Sequence, residues 1–107
     1  METLLVFTNM PDAESATALA EHLIEQRLAA CVNQLAPCRS IYRWQGTVST
    51  DVEVPLLIKT HSSRYAALEA AIRARHPYQV PEIVALPVSH GLPDYLSWVT
   101  METTPIS

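Results

Sequence analysis

The stretch from Ala29 to Thr60 constrains the fold more than any other part of the chain. Ala29 to Leu35 is apolar and rich in strand formers, and Pro37 interrupts it. Proline lacks the N–H that a sheet ladder needs, so a bulge or bend belongs there. Ser40 to Gln45 continues extended, with Ile41, Arg43 and Gln45 opposite in phase to Tyr42 and Trp44. Gly46 marks a hairpin turn. Val52 to Thr60 is the returning strand, with Val54, Leu56 and Ile58 alternating against Glu53, Pro55 and Leu57. Together these residues predict one long antiparallel hairpin over 29 to 60. A hairpin of that length in a chain of 107 residues leaves long strand edges, and an unpaired edge is an aggregation hazard. Oligomerisation through the hairpin and the open sheet face is the expected remedy.

The flanking segments supply the rest of the plan. Leu4 to Thr8 is a short apolar run and reads as the first strand; Asn9 to Asp12 is a turn. Asp12 is placed to cap a helix, with Glu14 adding a favourable charge in its first turn. Ala16, Leu19, Ala20, Leu23, Ile24 and Leu28 recur at helical spacing and predict an amphipathic helix from about Ala13 to Leu28. Ser62 or Ser63 is expected to cap a second helix, Arg64 to about Arg75, with Tyr65, Leu68 and Ile72 on its apolar stripe. Ile83 to Val88 reads as a strand near an edge, flanked by Pro81 and Pro87. Pro93 suits the first turn of a short final helix through about Thr100, and the tail from Glu102 to Ser107 is expected to fray. The order β-α-β-β-α-β plus a helix predicts an α+β, ferredoxin-like domain over residues 1–107, with an antiparallel sheet and two helices on one face.

Charge and composition remove several functions. A formal net charge of −4 disfavours nucleic-acid binding, which runs on clustered Lys and Arg, and docking on anionic lipid. No apolar stretch approaches the ~20 residues that span a bilayer. The N-terminal segment has no basic region ahead of its apolar run, so the chain reads as cytoplasmic. Cys31 and Cys38 match neither a zinc ribbon nor a C-x-x-C pair, and are expected to be small buried hydrophobes.

Chemistry concentrates in His76-Pro77-Tyr78-Gln79-Val80-Pro81-Glu82, an imidazole, a phenol and a carboxylate on a connector stiffened by two prolines. His76 reads either as the cap of the preceding helix or as a metal ligand converging with Glu82. Ser89-His90 and His61-Ser62 lack any nucleophile signature, and both histidines fall at strand ends where polar groups commonly face water. Gly46 and Gly91 are the only glycines, so no phosphate loop exists. Tyr42, Trp44, Lys59, Tyr78, Glu82 and Trp98 are candidate walls of a small-ligand cleft, with Lys59 beside an acid; an aromatic core or interface cluster with a surface ion pair is the plain alternative.

Several segments resemble the CutA divalent-cation-tolerance proteins. They are Ala29-Ala30-Cys31-Val32-Asn33, Ser40-Ile41-Tyr42-Arg43-Trp44-Gln45-Gly46, Leu57-Ile58-Lys59-Thr60, His76-Pro77-Tyr78 with Val80-Pro81-Glu82, and Tyr95-Leu96-Ser97-Trp98. The resemblance spans Leu4 to Thr100. It implies a ferredoxin-like protomer in a tight homotrimer shaped like the PII signalling proteins, and a link to tolerance of copper and other divalent cations. The copper site of bacterial members uses a Cys ending the first strand and two consecutive His before the Pro-Tyr. The matching positions here are Thr8, Arg75 and His76, of which only His76 can coordinate, since Thr is a poor copper ligand and Arg is always charged.

The expectation from residues and resemblance together is a non-catalytic homotrimer that binds a divalent metal such as copper, or a small ligand, at inter-subunit clefts. His76 and Glu82 are the expected metal ligands. Trp44, Lys59, Tyr78, Glu82, Trp98 and Tyr42 are the expected cleft residues. The alternative is a PII-like signalling module acting through a protein partner. An enzyme ranks last, because no nucleophile, base and orienter occur together.

Overall fold

A computed structural model describes residues 2–106. It is a mixed α+β fold of an antiparallel sheet and three helices. The strands are β1 (Thr3–Met10), β2 (Cys31–Gln34), β3 (Cys38–Trp44), β4 (Thr47–His61) and β5 (Ile83–Pro87); the helices are α1 (Ala13–Glu25), α2 (Tyr65–Arg75) and α3 (Pro93–Glu102). Sheet order is β2-β4-β1-β5, and β3 also pairs with β4.

The long hairpin forms as expected and breaks where Pro37 requires. β2 pairs with the end of β4, Cys31 opposite Lys59, and β3 pairs with its beginning, Cys38 opposite Glu53 through Trp44 opposite Thr47. β2 and β3 thus follow one another along the same edge of β4, separated by residues 35–37. The tip is a two-residue turn with both φ angles positive, Gln45 at 50° and Gly46 at 82°. Gln45 therefore leaves the strand to which its phase assigned it. β5 pairs only with β1 and forms a sheet edge, as its flanking prolines imply.

Alternation sorts the sheet's two faces. Val6, Met10, Val54, Leu56 and Ile58 share one face and pack with Ala16, Leu19 and Leu23 of α1 and Leu68 and Ile72 of α2 in a single buried cluster. α3 contacts β4 and β1. Its Tyr95 lies against Cys31, whose register opposite Lys59 puts it on the other face with Leu5 and Leu57. The first half of β4 and all of β3 reach beyond this two-sided core as an arm, and the molecule measures 44 × 27 × 23 Å. Ile41, Val48 and Val52 on the arm are exposed, as are Val84 and Leu86 on the edge strand.

Four local expectations are corrected. α1 stops at Glu25, three residues before its apolar stripe runs out. Arg27 adopts a φ of 56°, its N–H bonds to the Ile24 carbonyl, and Leu28 N–H bonds back to Leu23. That is a Schellman stop with arginine in the position glycine usually holds. At the start of α2 neither Ser62 nor Ser63 is the cap. Arg64 holds the cap position of α2 without a side-chain bond, and His61 caps the preceding 3-10 turn over Ser62–Arg64, its Nδ1 accepting from the Ser63 N–H at 3.1 Å. His61 is consequently buried rather than water-facing, with Nε2 lacking a partner among the described residues. The tail does not fray from Glu102. α3 includes Glu102, Thr103 is buried with Oγ1 donating to the Val99 carbonyl, and Arg27 donates to the carbonyls of Thr104 and Met101 at 2.7 and 2.9 Å. Ser107 lies outside the described residues. Finally, Cys31 and Cys38 are free and only half-buried, because each sits on a strand that one neighbour covers.

Candidate functional site

The turn at Gln45–Gly46 fixes the site before any side chain is considered. It sets Trp44 opposite Thr47, Tyr42 opposite Ser49, Ser40 opposite Asp51 and Cys38 opposite Glu53. In an antiparallel pair, opposed residues share a face. Tyr42, Trp44, Asp51 and Glu53 therefore stand on one side of the arm. Against that side lies the segment between α2 and β5, stiffened by Pro77 and Pro81. The two enclose a cleft of about 630 Å³ whose walls include Tyr42, Trp44, Glu53, Tyr78, Val80 and Glu82.

One buried junction holds that segment in place. His76 ends α2 and is 9% exposed. Its Nε2 lies 2.6 Å from the carbonyl of Asn9, so the proton is on Nε2; its Nδ1 accepts the Tyr78 N–H at 3.3 Å. Asn9 needs this donor. The Pro55 carbonyl opposite it bonds to Leu35 on the far side of β4, so the Asn9 carbonyl points towards β5, and the β5 pairing ends one residue earlier at Thr8 opposite Ile83. The Asn9 side chain then donates from Nδ2 to Glu82 Oε1 at 3.1 Å. The His76 and Tyr78 rings also touch, with centroids 4.7 Å apart. Asn9 thus joins His76 to Glu82, and both nitrogens of His76 are engaged.

The electrostatics of the cleft are negative. Tyr42 donates its hydroxyl to Asp51 Oδ2, and this bond, with smaller contributions from burial and from the acids nearby, pushes its ionisation up to about 12. Tyr78 is raised as well, by burial first and then by Glu53 beside it. Among the described residues no Lys, Arg or His lines the cleft. Among the described residues no three His, Cys, Asp or Glu side chains come together as a metal centre.

Of the six expected cleft residues, the structure brings Tyr42, Trp44, Tyr78 and Glu82 together and sends Lys59 and Trp98 elsewhere. Lys59 is six residues beyond Glu53 in β4, roughly 20 Å at strand rise. It lies beside Cys31 Sγ at 3.9 Å and donates to Asn33 Oδ1, and no acid among the described residues is its partner. Trp98 packs on Tyr95 with ring centroids 5.7 Å apart, and Tyr95 in turn is raised by burial and then by Cys31. The chain therefore carries two separate clusters: the acidic aromatic cleft, and a basic aromatic patch of Cys31, Lys59, Tyr95 and Trp98. Glu53 and Asn9 escaped the sequence reading. Glu53 was legible in principle, because counting back from the turn puts it on the face of Tyr42 and Trp44. Asn9 gave no such signal, since its role depends on where the β5 pairing stops. Thr8 is fully buried on the helix-facing side and Arg75 is on the surface beside His22, so the two non-coordinating positions are also apart from the cleft.

The model of the CutA1 divalent ion tolerance protein family matches residues 4–102. The chain belongs to the CutA1 family. It is 47% identical over 103 residues to the divalent-cation tolerance protein CutA of Thermus thermophilus, covering 96% of this chain and 99% of that one. It is 45% identical over 101 residues to protein CutA of Mus musculus, where 94% of this chain spans only 57% of the mouse protein. The solved structure of the Thermus thermophilus divalent cation tolerance protein superposes with a TM-score of 0.93 at 45% identity, over 95% of this chain and 99% of that one. No helix of the described residues is long and apolar enough to cross a membrane.

Proposed function

We propose that the chain is a single, ferredoxin-like CutA domain that works in the cytoplasm as a PII-like homotrimer, taking part in divalent-cation tolerance by binding a metal such as copper, or a small ligand, without catalysis. The observation that carries this reading is the division of the site. The cleft lacks a base, and the patch around Lys59 lacks an acid, so neither is a balanced site alone. Copies arranged around an axis would set the cleft of one protomer against the Lys59–Trp98 patch of the next. Exposed Ile41, Val48 and Val52 on the arm, with Val84 and Leu86 at the edge, supply the apolar contact surface that such an assembly needs.

Within the cleft Glu82 is the carboxylate offered to a cation. His76 stands behind it and positions it through Asn9; direct coordination by His76 would cost one of its two hydrogen bonds. Lys59 from the neighbouring protomer would read an anionic counter-group, and Trp98 would close the wall. Calorimetric titration of metal-free protein with Cu(II) and Mn(II), beside Glu82→Gln, tests this. Saturable heat that Glu82→Gln removes is the expected result. Identical isotherms for both proteins contradict the metal role.

A further inference from the structure

We propose that Lys59 of the next copy is the counter-charge of Glu53, and that a divalent cation entering the cleft competes with that ammonium. This rests on the proposed homotrimer and adds the regulation of its inter-subunit site. Each half of the pair is prepared within one chain, and neither is completed there. Glu53 is 8% exposed, and Tyr78 donates its hydroxyl to it. Glu82 accepts from the Asn9 amide, and Asp51 from the Tyr42 hydroxyl. These donors are neutral, so they aim the three carboxylates without cancelling their charge. Lys59 shows the reverse arrangement. It is half-buried, Nζ donates to the Asn33 amide oxygen and lies 3.9 Å from Cys31 Sγ, and the salt bridge among the described residues joins Arg27 to Glu102 instead. A charge withdrawn from water is costly unless an opposite charge stands beside it.

Position selects Lys59 as the partner. The arm's own Arg39 and Arg43 alternate with Ser40, Tyr42 and Trp44 in β3, so they stand on the face away from Glu53. Lys59 shares the Glu53 face of β4 but lies roughly 20 Å along it, so the two meet only between copies. The surroundings match as well: Tyr95 and Trp98 border the Lys59 patch, and Tyr42, Trp44 and Tyr78 border Glu53. Bringing these walls together shields the pair from water, where an ion pair is least screened. Glu82 is exposed at the same cleft and remains the carboxylate offered to a metal. A divalent ion there shares the cleft with an ammonium of like sign, and each weakens the hold of the other. Such coupling is reciprocal: the pair lowers cation affinity, and the cation loosens the pair.

The test compares the parent chain with Lys59→Met, Glu53→Gln, the double variant and Lys59→Arg. In urea melts at one protein concentration, each single loss of charge should lower the midpoint. The double variant should lose no more than the worse single one, because most of the cost lies in leaving one charge without its partner. Lys59→Arg should keep most of the parent midpoint. Calorimetric titration with Mn(II) reads the competition. Lys59→Met should bind Mn(II) roughly tenfold more tightly than the parent, and Lys59→Arg should bind as the parent does. If Glu53→Gln does not fold, the contrast between Lys59→Met and Lys59→Arg decides alone. Additive losses in the double variant, equal Mn(II) affinity in the parent and Lys59→Met, or Lys59→Arg behaving as Lys59→Met overturns the proposal. Absence of Mn(II) heat from every protein overturns it together with the metal role. A parent that scatters light as a single chain refutes the assembly as well, whereas a trimer with additive losses refutes the ion pair alone.

Discussion

Replacing His76 by Phe tests the junction that shapes the cleft. Phenylalanine keeps a ring against Tyr78 and fills nearly the same volume, so packing changes little. What it removes is the donor to the Asn9 carbonyl at 2.6 Å and the acceptor for the Tyr78 N–H at 3.3 Å. The first bond is buried, and the Asn9 carbonyl has no ladder donor, since it points towards β5 and that pairing ends at Thr8. A buried polar group left unpaired costs about 1–3 kcal/mol. The second bond is only partly buried, and water can replace it at a loss of about 0.5 kcal/mol. A total near 2 kcal/mol should lower the melting temperature by roughly 8–16 °C in a domain of this size. Thermal unfolding followed by circular dichroism measures it. Amide exchange should locate the loosening in residues 76–82, with the arm unaffected. A melting temperature within about 2 °C of the parent would show that Asn9 finds another partner and that His76 does not hold the segment.

Three further outcomes follow from the same structure. Ile58→Ala removes a fully buried side chain from the sheet face shared by both helices, and should cost about 2–5 kcal/mol, read as a lower midpoint in a urea melt with unchanged slope. Tyr42 should titrate near pH 12 by phenolate absorbance. Because the folded value lies above the ordinary 10.0, its contribution to stability is present below pH 10 and fades between there and about 12; Asp51→Asn should return the titration towards the ordinary range. Arg27→Ala releases the carbonyls of Met101 and Thr104, so amide exchange should quicken in the last turn of α3 while β1 and β4 stay protected.

What could be read without coordinates follows from how local each signal is. The arm and its break were legible because Pro37 cannot donate to a ladder and Gly46 marks the turn. The start of α3 was legible for the same reason at Pro93. The end of α1 was not, because Arg27 in the left-handed region does what glycine usually does, and nothing in its side chain announces this. Residue type also misled ahead of α2, where the two plausible serine caps fall inside a 3-10 turn that the buried imidazole of His61 caps. For the site, Tyr42, Trp44, Tyr78 and Glu82 were found because each lies on an element whose ends the sequence marks. Lys59 and Trp98 share the right chemistry, but strand rise alone carries Lys59 roughly 20 Å past the cleft. Only distance along the register separates them, and composition is blind to it.

The most direct test of the account is the mass of the native particle by light scattering at micromolar concentration. Three times the 11.9 kDa mass of one chain is expected from the proposed assembly, in which the acidic cleft of one copy would meet the Lys59 patch of the next. A particle of 11.9 kDa, with the arm and the edge strand free in solution, would contradict it.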